Sequence, residues 1–409
     1  MKNRLTLKLI GFALLATLLS TAFVAGCDGS TVNEEQSASN VVEGSTSADV
    51  LPPTATATPP SNEFAIVGQP EPFQLDDLEL VGLDGWINSE PVKILDLIDS
   101  GQVVLLDFWT YTCVNCVRTF PYLGAWHDTY ADHGLAIIGV HSPEFDFEKV
   151  LGNVQQAADG FGLAYPIALD SEKQTWDKYG NHFWPSKYLI ESSGEVSFRH
   201  FGEGGYEETE SIVREALEAA GHDLSGVPRS AVVNPERSQG AHTVTRELYG
   251  GYSKNYLSDG LYAGQDAYYE TPDSIVDYTD DGTRRPGQFF LDGRWLNMSN
   301  AVVTQETTAS DQGQFAFEFF ATSVNSVLSS ESEPIEVLIE IDGEPLNVDQ
   351  AGSDVSWDED GNSILTVTDA RLYQIVELPE FGKHELVLKT DSEGLAIYTV
   401  TFGVNEFGP

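Results

Sequence analysis

Apolar runs and helical spacings take turns along the first half of the chain. Val103 to Trp109 is apolar except for Asp107, which predicts a strand buried on both faces. A helical stretch follows from residue 113 to about Ala131 and stops near Gly134, and Leu135 to Val140 predicts a second buried strand. A further helical pattern, from about Phe147 to Gly160, leads into the apolar run Tyr165 to Leu169. Lys187 to Glu191 and Glu195 to Phe201 flank Ser192-Ser193-Gly194 and predict a hairpin. Glu207 to Ala220 is amphipathic, with Ile212, Val213, Ala216 and Leu217 on one side. Strand, helix, strand, helix, hairpin and helix in this order predict an α/β sandwich about one central sheet.

The pattern changes after a polar connection, Asp223 to Gln239, that carries Pro228 and Pro235. Short strand-like runs follow at 288–291, 315–320, 335–341, 363–367, 372–378, 384–389 and 397–402. Asp-Gly pairs at 292–293, 342–343 and 360–361 supply turns. No helical run of comparable strength occurs here, so the second half is expected to be an all-β sandwich or jelly roll.

Composition narrows the function. The 409 residues suffice for two domains with sizeable cores. Asp and Glu number 64 against 21 Lys and Arg, a net charge of −43, so electrostatic binding to nucleic acid or anionic lipid is disfavoured. Three cysteines, Cys27, Cys113 and Cys116, rule out a disulfide framework and a four-cysteine zinc site. A basic start (Lys2, Arg4, Lys8) and the uncharged run Leu9 to Gly26 predict an export signal over residues 1–26. Val24-Ala25-Gly26-Cys27 resembles the lipobox of bacterial lipoproteins, which implies lipidation of Cys27 and anchorage to the extracytoplasmic face of a membrane. Residues 27–62, rich in Ser, Thr, Ala and Pro, predict a flexible tether.

The chemistry concentrates in Asp107-Phe108-Trp109-Thr110-Tyr111-Thr112-Cys113-Val114-Asn115-Cys116. Two cysteines two residues apart follow a buried strand, with Asp107 six residues before the first. Pro121 lies five after the second, where it would kink the helix, and Trp184-Pro185 precedes the hairpin. This set resembles the thioredoxin superfamily, especially its TlpA-like extracytoplasmic branch. His-Ser-Pro-Glu-Phe (141–145) and Phe-Gly-Glu-Gly-Gly-Tyr (201–206) narrow the likeness to the periplasmic part of DipZ-type cytochrome c biogenesis proteins. Glu-Leu-Tyr-Gly-Gly-Tyr (247–252), Gly-Arg-Trp (293–295) and Ala-Arg-Leu-Tyr-Gln (370–374) resemble the carbohydrate-binding-module-like region of the same proteins. The expected layout is therefore signal 1–26, tether 27–62, thioredoxin-like α/β domain 63–222, linker 223–242 and β-sandwich 243–409.

The resemblance implies a thiol–disulfide oxidoreductase whose only redox group is the Cys113–Cys116 pair, with no other cofactor. Cys113, at a helix N-terminus that favours the thiolate, would attack a substrate disulfide. Cys116 would resolve the mixed disulfide, and Asp107 would take its proton. Trp184 and Pro185, the latter at the family's cis-proline position, would bind an extended substrate segment. The implied direction is reduction of protein disulfides, including those of apocytochromes c, with electrons from a separate CcdA-type membrane protein. An oxidase of the same fold is the alternative. A glycan- or partner-binding lipoprotein with an accessory thioredoxin domain is another, with Tyr249, Tyr252, Trp295 or Trp357 as stacking platforms.

Duller readings fit several neighbours. Val117 stands where a haem-attachment motif needs His, and the histidines show no paired metal spacing. Thr110-x-x-Cys113 lacks the proline of a peroxiredoxin. Asp358 to Asn362 forms a hairpin turn on this reading, because a calcium loop aligned on Gly361 would put Ser356 and Val367 at ligand positions. His141 and Glu144 are expected to be solvated loop residues.

Overall fold

A computed structural model describes residues 78–231, 243–255, 261–306, 312–330 and 333–403. The signal, Cys27, the tether and most of the linker lie outside the described residues. The first half holds β1 (Gly85–Ile87), α1 (Ile94–Asp99), β2 (Val103–Trp109), α2 (Val114–Tyr130), β3 (Leu135–His141), α3 (Leu151–Phe161), β4 (Ile167–Leu169) and α4 (Gln174–Lys178). The hairpin β5 (Ser186–Ile190) and β6 (Val196–Phe201) and then α5 (Tyr206–Ala219) complete it. Its six strands order as β1-β4-β3-β2-β5-β6, with β2, β3 and β4 parallel and the rest antiparallel.

The continuous apolar run of β2 is explained by its central place in that sheet. Val103, Leu105 and Trp109 pack on one face with Phe120, Leu123 and Trp126 of α2 and Leu217 of α5. Val104, Leu106 and Phe108 pack on the other with Ile94 of α1 and Trp176 of α4. Alternation along the strand therefore turns Asp107 toward the α2 face. The helix expected from Phe147 starts instead at Leu151, because a single 3-10 turn over Asp146–Lys149 precedes it. Pro121 lies inside α2, which continues through it to Tyr130.

The second half contains β7 (Leu248–Tyr249), α6 (Asp266–Glu270), β8 (Ser274–Tyr278), β9 (Phe289–Asn297), β10 (Val302–Thr304), β11 (Gly313–Ser330), β12 (Ile335–Ile341) and β13 (Glu344–Pro345). It ends with β14 (Val355–Trp357), β15 (Ser363–Val367), β16 (Arg371–Thr390) and β17 (Leu395–Gly403). The main path runs β14-β15-β12-β16-β11-β17-β10-β9-β8. The early part of β11 pairs with β9 and its later part with β17, and its pairing with β16 shifts register at Ala321/Ser323 between the two. Such bulges bend long strands. The sheet thereby folds over one core that takes Phe289, Phe315 and Phe317 together with Val337, Leu365, Tyr373 and Ile397. Both sheets belong to one compact unit. Among the described residues no helix is long and apolar enough to cross a membrane.

Candidate functional site

The N-terminus of α2 presents the two cysteines at the end of β2. Cys113 caps the helix: its Sγ accepts the Cys116 N–H at 3.3 Å, and its own N–H donates to Thr110 O at 3.3 Å. Both thiols are free; Cys113 is part-exposed and Cys116 fully buried. Burial pushes the Cys116 thiol well above its ordinary range, and the neighbouring Cys113 sulfur adds to the effect. Cys116 therefore needs a base if it is to become a nucleophile at neutral pH.

Asp107 is the carboxylate whose charge acts on Cys116. It is fully buried on the α2 face, and burial pushes its carboxyl up to about 7 although the Lys187 charge opposes the rise. Lys187 lies directly opposite it in the β2–β5 pairing and is also fully buried, which lowers its ammonium below the ordinary value. Neither the Asp107 carboxyl oxygens nor Lys187 Nζ takes a hydrogen bond among the described residues. Tyr165, from the run before β4, is fully buried and electrostatically linked to both Asp107 and Cys116. Buried Asp107 is thus coupled electrostatically to a buried ammonium, a buried phenol and the second thiol.

The turn before Cys113 is held from below. Glu148 is fully buried and accepts Thr112 Oγ1–H at 2.6 Å and the Thr112 N–H at 3.3 Å. Its other oxygen accepts the backbone N–H groups of Glu144 (2.6 Å) and Phe145 (2.9 Å). Burial raises the Glu148 carboxyl, although these hydrogen bonds pull it back. His141 ends β3 and is buried, contrary to the expectation of a solvated loop residue. Its ring stacks on Tyr111 and lies 3.4 Å from Thr110 Oγ1, and burial lowers its pKa to about 3, so it is neutral. Glu144 also departs from that expectation, because it is ion-paired with Lys254 at 2.7 Å.

Trp184-Pro185 is a cis peptide. Trp184 donates its indole N–H to Ser142 O at 2.9 Å, packs on Trp176 and lies under Lys173 Nζ at 4.2 Å. The Pro185 carbonyl accepts Gly202 N–H at 2.8 Å. Phe183 and Phe201, beside this segment, are 56% and 46% exposed with ring centroids 5.8 Å apart.

In the second half Trp295 lies in the core, 1% exposed, so its ring is not open for stacking, while Tyr249 is part-buried with its hydroxyl within hydrogen-bond distance of Glu247 and Glu144. Trp357 is 39% exposed. Asp358 Oδ1 accepts the N–H groups of Asp360 and Asn362, which makes this segment a side-chain-closed turn between β14 and β15. Among the described residues no group of three or more His, Cys, Asp or Glu is arranged to hold a metal ion.

Sequence reasoning named the cysteines, Asp107, Trp184 and Pro185 but passed over Lys187, Tyr165 and Glu148. A lysine in an otherwise apolar strand was the available signal for Lys187.

Two family models match the chain: the AhpC/TSA family over residues 72–199 and the thioredoxin like C-terminal domain over residues 245–403. The proteins named DipZ of Mycobacterium bovis and Mycobacterium tuberculosis are each 41% identical over 220 residues, 53% of this chain and 30% of theirs. The chain thus spans about a third of the length of those relatives. The thiol-disulfide oxidoreductase ResA of Halalkalibacterium halodurans is 32% identical over 146 residues, 36% of this chain and 72% of its own. The crystal structure of a putative thiol:disulfide interchange protein DsbE from Chlorobium tepidum matches 31% of this chain and 86% of its own length, at 27% identity and a TM-score of 0.28.

Proposed function

The chain belongs to the thiol–disulfide oxidoreductases, and from that premise we propose that it is a lipid-anchored, extracytoplasmic reductase of protein disulfides. The observation that carries the reading is the stacking of roles at one helix end: a part-exposed Cys113, a buried Cys116 and a buried Asp107 on the same face.

The Cys113 thiolate attacks one sulfur of a substrate disulfide, forming a mixed disulfide and expelling the other sulfur as a thiolate that takes a proton from solvent. Cys116 gives its proton to Asp107 and attacks Cys113 Sγ, forming the Cys113–Cys116 disulfide and expelling the second substrate thiolate. Two electrons pass to the substrate, and the pair is its own redox group. A CcdA-type membrane donor returns the two electrons. The Trp184–Pro185 segment, flanked by the exposed Phe183 and Phe201, aligns the substrate chain beside Cys113. In the proposed layout residues 1–26 are removed, Cys27 carries the lipid, and residues 27–62 tether the enzyme. Apocytochromes c are the substrates suggested by the DipZ-type resemblance. Glycan capture by the second half is a lesser reading that rests on the exposed Trp357.

The deciding experiment equilibrates the protein with glutathione or dithiothreitol buffers. A reductase requires a potential near or below about −250 mV, whereas a value near about −120 mV makes the enzyme an oxidase. A pair inert to exchange refutes both. Cys116→Ser is expected to accumulate the mixed disulfide with substrate, and Cys113→Ser to abolish exchange; mass spectrometry of non-reduced adducts reads both.

A further inference from the structure

Arg118 is an unusual residue to find where it is. It lies in the second turn of α2, the end of the helix where the macrodipole disfavours a cation, and it is only 8% exposed. Its guanidinium donates to Asn115 Oδ1 at 3.3 Å and pairs with Glu203, after β6, at 3.5 Å. It also lies against the end of β17: a Cβ added to Gly403 would stand 2.9 Å from Arg118 Nη2. Asn115 sits between the two cysteines. The second half of the chain therefore touches the residue that bonds to the redox turn.

Two more contacts reach the same turn from its other side. Tyr111, two residues before Cys113, donates its hydroxyl to Ala370 O in the connection between β15 and β16 at 3.2 Å. Phe145 and Phe147 pack on Tyr398 of β17 with centroids 5.1 and 4.9 Å apart. That aromatic segment carries Glu148, whose carboxylate holds Thr112. Residues 111, 112 and 115 are thus each tied to the strand-rich half, Tyr111 directly, Asn115 through Arg118, and Thr112 through Glu148 and the phenylalanines beside it.

We propose that the strand-rich half is a working part of the redox centre, with Arg118 and Tyr111 as the positioning residues through which it holds the Cys113–Cys116 turn. The inference rests on the thiol–disulfide reading above. A turn fixed on both sides keeps the two sulfurs at closing distance, which raises their effective concentration and favours the disulfide. Freed from Arg118 or from β17, the turn samples more conformations and the equilibrium moves toward the dithiol.

The test uses the full chain with its signal removed, and compares Arg118→Gln, Arg118→Lys, Tyr111→Phe and Gly403→Ala with the wild type. Gly403→Ala leaves α2 unaltered and pushes from β17 on Ser323 Oγ of β11, 2.6 Å from the added Cβ, as well as on the guanidinium, 2.9 Å from it, so Ser323→Ala is made beside it to relieve the first clash and leave the second. The readouts are the equilibrium constant for closing Cys113–Cys116 against glutathione and the thermal midpoint. Arg118→Gln and Gly403→Ala are expected to lower that constant about threefold or more, with Tyr111→Phe shifting it in the same direction and Arg118→Lys restoring part of the loss. Folded variants whose constants stay within about twofold of wild type overturn the proposal, since a merely structural contact would change the midpoint alone. Should Arg118→Gln fail to fold, Gly403→Ala and Tyr111→Phe decide. A wild-type pair that does not exchange with glutathione removes the redox reading itself, an outcome visible before any variant is made.

Discussion

Two opposed forces act on the Asp107 carboxyl and suit it to the role of base proposed for it. Burial alone pushes a carboxyl up, and the Lys187 charge on the neighbouring strand limits the rise to about 7. In the proposed step a base with that affinity would accept the Cys116 proton near neutral pH and return it afterwards. Asp107→Asn is therefore expected to slow release of the mixed disulfide about tenfold or more at pH 7 while leaving the first attack by Cys113 nearly unchanged. Rapid-quench measurement of the mixed disulfide separates the two steps; equal slowing of both would count against the assignment. Lys187→Met removes the charge that lowers the Asp107 carboxyl, so its titration midpoint should move further upward, which carboxyl NMR can follow. A midpoint that stays in place would mean that burial alone sets it.

At the level of the element, the site depends on what stands beside β2. Gly139 of β3 lies opposite Asp107 on one side, as Lys187 of β5 does on the other. A Cβ at Gly139 would come within 2.8 Å of Trp109 Nε1 and 3.2 Å of a Tyr165 ring carbon. Gly139→Ala must then move the indole or the phenol, and is expected to cost about 1–3 kcal/mol of stability, read as a lower denaturant midpoint. An unchanged midpoint would show that the pocket gives way freely. The same neighbours show which parts of the site were legible in the sequence. Cys113, Cys116 and Asp107 fall within ten consecutive residues, and Trp184-Pro185 is itself a local signal. Lys187 becomes part of the site only through antiparallel pairing of β2 with β5, and Ala370 meets Tyr111 from 259 positions away. Local periodicity carries no information on such pairings. In the second half, 372–378 and 384–389 looked like separate strands because Pro379 and Gly382 interrupt the pattern, yet β16 runs through both. β11 runs beyond the apolar pattern of 315–320 and takes in Thr322 and Ser326, which carry no apolar signal. Their hydroxyls instead bond to carbonyls of β17 within the buried sheet.

Across the whole molecule the two halves meet through a group that needs a proton. Tyr249 Oη lies 2.9 Å from Glu247 Oε2 and 3.2 Å from Glu144 Oε1, and Lys254 Nζ pairs with that same Glu144 oxygen at 2.7 Å. A phenol has one hydrogen, so it cannot donate to both carboxylates. Burial, with the Glu144 charge second, pushes the Glu247 carboxyl from an ordinary 4.5 up to about 7, while Thr399, Tyr249 and Lys254 pull the other way. Protonated Glu247 donates to the Tyr249 oxygen, Tyr249 donates to Glu144, and every bond is made. Because the folded value is raised, the contribution is fully present below about pH 4.5 and is lost as pH rises through about 7. Asp107 titrates in the same direction over the same window, so the comparison belongs in an Asp107→Asn background. There, Glu247→Gln supplies a permanent donor to Tyr249. It is expected to flatten the fall in melting temperature between pH 5 and 8 and to raise that temperature at pH 8 by about 2 °C or more. A slope identical to that of the parent would show that the carboxyl–phenol–carboxylate contact takes up no proton on folding. The pH dependence of this interface would then have to come from another group.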